Sequence, residues 1–276
     1  MPKSKLFMNC SETDFVSSCP RENQIVELKE DGTRVLTFFS KSGVKMLSER
    51  EIDCSVKYPE VVEELKLKHH TTECILDGEM CVFVDGKSEF QRILNRNTEN
   101  KFKIKILRKT IPVTYVVFDI LSINGESVRH YPLYQRKKYL NNVVEETEHI
   151  KLAEDRTSDF KELVKDIKDR NLEGYIIKNK NSVYVGKKSH NWIKAKFKKE
   201  TVLKMDRFEI HKDGKGVTYT DGFNRVSVYG QGSKKGIADI KKHGYCLVET
   251  QYLRKNPSGH IFQPAYKRFG EINGSN

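Results

Sequence analysis

The sequence has few cysteines and no place for them to act together. Its six, Cys10, Cys19, Cys54, Cys74, Cys81 and Cys246, are scattered without a close CxxC pair, which argues against a zinc site of the usual spacing. Reduced, idle thiols are the expectation, and a Cys10–Cys19 disulfide has no support beyond proximity. No stretch approaches the roughly 20 apolar residues that span a bilayer, and no membrane association is expected. The N-terminal MPKSKLFMNCSETDF carries no long apolar run after its lysines, so a secretory leader is not expected and a cytoplasmic protein is. There is no internal repeat and no low-complexity tract.

What is present is a lean globular composition, 37% hydrophobic and 10% aromatic, in a chain of 276 residues. That length holds one large domain or two modest ones. Fifty Lys and Arg against 38 Asp and Glu give a net charge of +12, spread along the chain. Such a field favours polyanions, nucleic acid above all.

Residues 25–39, IVELKEDGTRVLTFF, read as two strands joined by a turn around Asp31-Gly32. CILDGEMCVFV (74–84) and VTYVVFDIL (113–121) read as further strands, and YPEVVEELKLK (58–68) as a helix with Pro59 in its first turn. DFKELVKDIKD (159–169) is the clearest helix: Phe160, Leu163, Val164 and Ile167 form the i, i+3, i+4, i+7 stripe, and Asp159 with Glu162 suggests a capping box. After Phe197 the texture changes to short strand-like runs broken by glycine-rich turns. This predicts a small all-β domain, a five-stranded barrel, with a boundary near residue 200.

Strand alternation sorts the charged residues. In VELKEDG, Val26 and Leu28 face one way, Glu27 and Lys29 the other. In CILDGEMCV, Asp77 and Glu79 oppose Leu76, Met80 and Val82. In NWIKAKF, Trp192, Lys194 and Lys196 oppose Ile193, Ala195 and Phe197. Taken singly, each reads equally well as a solvated surface strand. Together they offer three ionisable faces of the kind a phosphate-handling site needs.

Their order along the chain carries a resemblance. Lys29-Glu30-Asp31-Gly32-Thr33-Arg34 matches KxDGxR, Leu76-Asp77-Gly78-Glu79 matches LDGE, and Glu173-Gly174-Tyr175-Ile176-Ile177-Lys178 resembles EGxxxK. Trp192 to Lys196 resembles WxKxK, and YVVFDIL (115–121) resembles the segment bearing an adenine-stacking aromatic. In these residues, and in connecting text such as PLYQRKKYL, the chain resembles ATP-dependent DNA ligases of the covalent nucleotidyltransferase superfamily. RNA ligases and guanylyltransferases share the core motifs but fit the connecting text less well. A non-catalytic nucleic-acid-binding module would have no need of Lys29 beside Asp31, Gly32 and Arg34.

The resemblance implies an α+β fold: a mainly antiparallel-sheet, ATP-grasp-like adenylation domain over 1–200, then an oligonucleotide-binding barrel over 201–276. It implies a nick-sealing enzyme acting on duplex DNA through AMP bound covalently to Lys29, with ATP as donor and Mg²⁺, or Mn²⁺ in its place. By the same resemblance Glu27 would read the adenine amino group, Phe118 would stack on the ring, and Arg34 would contact ribose or a nick phosphate. Glu79 and Glu173 would serve ribose and metal, while Lys178, Lys194 and Lys196 would bind phosphates. Lowering of the Lys29 pKa by these lysines together with a bound Mg²⁺ is expected. A monomer associated with DNA or the nucleoid is expected.

Two places depart from the family pattern. Where an arginine usually follows the serine of Leu47-Ser48 there is Glu49, which leaves Arg50 as a candidate nucleotide contact. The C-terminal RxDK is represented by Arg268-Phe269-Gly270-Glu271, keeping the arginine alone. The basic run 230–244 is a candidate aid to DNA binding.

Overall fold

The computed structural model describes residues 6–13, 21–67, 71–256 and 258–272. Two compact units make up the chain, Met1–Lys196 and Phe197–Asn276. Among the described residues no helix is long and apolar enough to cross a membrane. Cys19 lies outside the described residues, and Cys10 is a free thiol.

The first unit is built on two sheets. One orders the strands Asn9–Thr13, Lys188–Lys196, Gly174–Asn179 and Gln24–Leu28. The other orders Ile150–Leu152, Thr114–Ile123, Cys74–Cys81, Thr33–Ser40 and Gly43–Ser48. Pairing is antiparallel except at two edges, where Asn9–Thr13 and Ile150–Leu152 run parallel to their neighbours. The expected strands around Asp31-Gly32 both form, yet they belong to different sheets. The turn is therefore a crossing, and it sets Lys29 at the seam.

That crossing explains Gly32. A Cβ there would lie 2.3 Å from the Met80 carbonyl oxygen, so only hydrogen allows the turn to approach the neighbouring sheet. The seam is filled by Phe7, Met8, Ile25, Leu36, Leu121, Leu133, Tyr184 and Trp192, drawn from both sheets and their flanks. Each large side chain so buried contributes roughly 1.5–3 kcal/mol. A second core, including Val35, Met46, Leu76, Met80, Tyr115 and Leu140, fills the far side of the longer sheet.

The helix Pro59–Leu67 buries Val61 and Leu65. Phe160–Asp169 buries the predicted stripe, Phe160, Leu163, Val164 and Ile167. Its expected capping box does not form. Asp159 stands at the N-cap without a side-chain bond to the helix, because Arg156 Nε donates to its carboxylate at 2.5 Å. A charged partner three residues away outcompetes the backbone amide. The helix Leu133–Val143 docks through Arg136, whose guanidinium donates to Asp119 at 2.8 Å through both Nε and Nη2, with neither residue exposed.

In the second unit, Lys199–Met205, Cys246–Tyr252 and Ala265–Phe269 form one antiparallel sheet. Arg207–Ile210, Gly216–Thr220 and Arg225–Tyr229 form another. Met205 pairs with Cys246 and Arg207 with Thr220, so a single bent strand passes between the sheets at Asp206. Met205, Val217, Tyr219, Val226, Val228, Cys246, Val248 and Phe269 pack between them. The predicted closed barrel is not seen: among the described residues no ladder joins the two sheets on the other side. Side-chain packing closes that seam instead. Within the basic run 230–244 lies the helix Lys235–His243, which buries Gly236 against Tyr219 and Phe269 and leaves Lys235, Lys241 and Lys242 exposed.

Candidate active site

A cleft of about 960 Å³ in the first unit collects Lys29, Arg34, Arg50, Glu79, Phe118, Lys178, Lys194 and Lys196 among its lining residues. The sheet register brings them there. Tyr175 pairs with Leu28, and the Lys29 amide then donates to the Gly174 carbonyl at 3.0 Å, laying KxDG against EGxxxK. Gly174 is required on geometry: its φ is +145°, and a Cβ would meet the Ala195 oxygen at 2.0 Å.

Lys29 Nζ donates to Glu173 Oε2 at 2.7 Å, with side-chain exposures of 20% and 11%. Burial acts to lower the Lys29 pKa, but the Glu173 and Glu79 carboxylates outweigh it and hold the ammonium above its ordinary value. The neighbouring lysines, expected to depress it together with a bound Mg²⁺, do not by themselves outweigh these acids. Those lysines lie nearby, but the two acids dominate.

Glu79 stands opposite Arg34 in register. Burial pushes its carboxyl up to about 8, against the pull of Lys29 and Arg34 and with a further push from Glu173. Two carboxylates facing one lysine form a hard-oxygen donor set. Among the described residues no third His, Cys, Asp or Glu joins them in a metal-binding group. Such a pair fits Mg²⁺, which is commonly held by one or two carboxylates while phosphate and water oxygens complete its shell.

Arg34 does not reach freely into the cleft. Its Nε and Nη2 donate to Asp77 Oδ1 and Oδ2 at 3.0 and 2.7 Å, and Nη1 donates to the Met8 carbonyl at 2.8 Å. The guanidinium is thereby fixed between the Phe7 and Phe118 rings, 5.2 and 5.3 Å from their centroids. Tyr184 completes the arrangement by donating to Asp77 Oδ2 at 2.7 Å.

At the Phe118 end, Lys178 Nζ sits 4.4 Å from the Phe118 centroid and 4.3 Å from that of Trp192. It donates to Glu27 Oε2 at 2.5 Å, and burial holds its pKa below the ordinary lysine value despite that carboxylate. Glu27 is 2% exposed and is not among the residues that line the cleft. Its other oxygen pairs with Lys137, a residue the sequence did not single out. Trp192 lines the cleft on the same strand face as Lys194 and Lys196, as expected, and is buried edge-on to Phe118 and Tyr184.

Lys194 lies 3.5 Å from Glu12, and burial lowers the Lys196 pKa. Arg50 is exposed at the rim beside Glu49, which approaches Arg34 at 3.9 Å. In the second unit Arg268 is exposed and donates to Glu249 at 2.6 Å. Phe7, Cys10 and Ile176 were missed by sequence reasoning, since only the tertiary fold brings them to this cleft, and so was Tyr184, which braces Asp77 behind it. For Tyr184, the segment SVYVG was legible as connecting text but gave no sign of a partner at Asp77.

Residues 7–196 match the family model described as the ATP dependent DNA ligase domain. The chain belongs to that family. DNA ligase of Archaeoglobus fulgidus is 37% identical over 183 residues, which cover 64% of this chain and 32% of the relative. DNA ligase of Pyrobaculum islandicum is 31% identical over 216 residues, 75% of this chain and 36% of the relative. The chain thus spans about a third of the length of these curated DNA ligases. The SPbeta prophage-derived DNA ligase-like protein LigB of Bacillus subtilis is 31% identical over 176 residues, 63% of this chain and 61% of the relative. Among solved structures, the ligase domain of M. tuberculosis LigD shares the fold at a TM-score of 0.57 and 18% identity, covering 96% of this chain and 95% of that one. A structure of Lig E DNA ligases does so at 0.66 and 14%, covering 95% and 99%.

Proposed function

We propose that this member of the ATP-dependent DNA ligase family seals nicks in duplex DNA through a lysyl-AMP on Lys29. The observation that carries the reading is the Lys29–Glu173 contact at 2.7 Å, in a cleft that offers Glu79 beside it and Phe118 at its other end. The first unit acts as the adenylation domain and the second as an oligonucleotide-binding module with a barrel-like core.

The chemistry follows from what each side chain can do. As an ammonium Lys29 cannot attack, and Glu173 Oε2 is placed to accept its proton. The freed amine forms a bond to the α-phosphorus of ATP while the bond to pyrophosphate breaks. Lys194 and Lys196 offset charge on the phosphates, and Phe118 supplies a face for the base. AMP then passes to the 5′-phosphate of a nick, and the 3′-hydroxyl displaces it to restore the strand. Glu79 and Glu173 are the residues that would hold Mg²⁺ or Mn²⁺, which when bound neutralises negative charge on the transferring phosphate.

The test is incubation with α-labelled ATP and Mg²⁺ followed by denaturing electrophoresis. Label comigrating with the wild-type chain and absent from Lys29→Ala is the expected result. Label retained by Lys29→Ala would remove Lys29 from the reaction. Labelling from GTP in preference to ATP would favour a guanylyltransferase.

A further inference from the structure

The described residues place one buried carboxylate between two lysines, behind Lys178, which lines the cleft beside Phe118. Glu27 Oε2 accepts from Lys178 at 2.5 Å, and Oε1 pairs with Lys137. Lys178 reaches Glu27 from the neighbouring strand and belongs to a motif. Lys137 arrives from the helix Leu133–Val143, outside all the motifs, and its side chain is 17% exposed against 3% for Glu27. Lys137 Nζ also donates to the Ala153 carbonyl at 3.0 Å, which fixes the ammonium from a second direction. The helix is itself anchored by the adjacent Arg136, doubly bonded to Asp119 on the strand that carries Phe118. Lys137 is therefore held rigidly relative to both the carboxylate and the stacking ring.

We propose that Lys137 is a positioning residue for nucleobase selection, one that fixes the Glu27 carboxylate so that its remaining acceptor capacity meets the donor edge of a 6-aminopurine. This rests on the reading of the cleft as an adenylate site. A carboxylate offers about four acceptor positions, and the two lysines leave others unused. An amino group at C6 can donate to such an oxygen. A carbonyl at C6 presents an acceptor to an acceptor and is rejected, and a site built for a hydrogen bond discriminates strongly against an analogue that cannot make it. Without Lys137, Oε1 loses its partner inside a buried pocket. The carboxylate is then free to swing toward Lys178, and the acceptor leaves its place.

Full-length Lys137→Met, Lys137→Arg, Glu27→Gln and the Lys137→Met/Glu27→Gln double variant are compared in self-adenylation, with ATP and with inosine triphosphate, which has a C6 carbonyl. A charge-assisted hydrogen bond lost in Lys137→Met should raise KM for ATP on the order of tenfold with kcat little changed, and narrow the preference for ATP over inosine triphosphate similarly. Lys137→Arg should restore much of both. The double variant should be no worse than Glu27→Gln alone, since the two residues act through one interaction. If Lys137→Met fails to fold, Lys137→Gln gives the same comparison, because its amide can still donate to Ala153. Unchanged KM and nucleotide preference in folded Lys137→Met or Lys137→Gln, or effects that simply add to those of Glu27→Gln, would overturn the proposal while leaving the adenylate reading intact. A wild-type protein that takes no label from ATP overturns both.

Discussion

The Arg34 guanidinium grips the Asp77 carboxylate at two points, joining the last residue of KxDGxR to the second of LDGE across adjacent strands. Asp77 has no exposure and Arg34 very little. The pair, with Tyr184 and the Met8 carbonyl, forms the rigid frame beside Lys29. A motif arginine expected to contact a substrate is thus first a structural clamp.

Breaking that clamp from the buried side leaves an uncompensated charge. Asp77→Ala should cost about 3–5 kcal/mol, the range for removing one partner of a buried ion pair. The urea midpoint of the full chain checks this. A loss below about 1 kcal/mol would mean that Arg34 finds other partners easily.

Gly174 tests whether the cleft depends on close strand approach. A methyl group there would strike the Ala195 oxygen in a backbone conformation that L residues rarely adopt. Strain of this kind costs at least about 1–3 kcal/mol, so Gly174→Ala should lower the thermal midpoint by several degrees. Because the Gly174 carbonyl also holds the Lys29 amide, adenylation should fall along with stability. A variant of normal stability and normal labelling would show that the strands can separate at little cost.

The strands and the helical stripe of Phe160–Asp169 were legible because they depend on local periodicity. So were the cleft residues carried by short motifs. What was not legible depends on distant pairing. Residues 25–39 show two strands but not that each joins a different sheet. Asp159 shows a cap but not that Arg156 takes its carboxylate. Glu27 shows a pocket-facing side chain by alternation, yet it is buried by Lys178 and Lys137, which lie more than a hundred positions along the chain. The barrel was read from strand texture, which cannot say where a ladder closes.

Metal dependence is the outcome expected of the proposed function, given the two acids near Lys29. Chelator should abolish self-adenylation, and Mg²⁺ or Mn²⁺ should restore it. In the proposed function Glu173→Ala would remove both a cation oxygen and the proton acceptor of Lys29, so sealing should fall by at least about a hundredfold, as for loss of a general base. Full sealing by Glu173→Ala would exclude both roles.

Net charge predicts how the substrate is held. A basic chain that grips duplex DNA through its backbone releases counterions. Affinity for a nicked duplex should then fall roughly a thousandfold or more between low and moderate salt if about six phosphates are engaged. Sealing should follow the same slope at subsaturating protein. Salt-independent binding, or preference for an all-RNA nick, would overturn the assignment of nicked DNA as substrate.

Substituting Arg268 tests whether the first chemical step can be separated from the last. Its side chain is 71% exposed and its Nε bonds to Glu249, so nothing inside the second unit buries it or depends on it for packing. Arg268→Ala should therefore leave the urea midpoint at the wild-type value, as for a surface substitution. An arginine in the place of the family's RxDK motif suits a leaving pyrophosphate, because its planar fork binds phosphate oxygens in pairs. If it serves that step, Arg268→Ala forms little enzyme-AMP from ATP, yet it still seals a nick whose 5′-phosphate is already adenylated, since no pyrophosphate departs in that reaction. Measuring both reactions on one preparation distinguishes this role from general damage, which would depress them together. Normal labelling from ATP would instead assign Arg268 to the surface ion pair with Glu249 and nothing more.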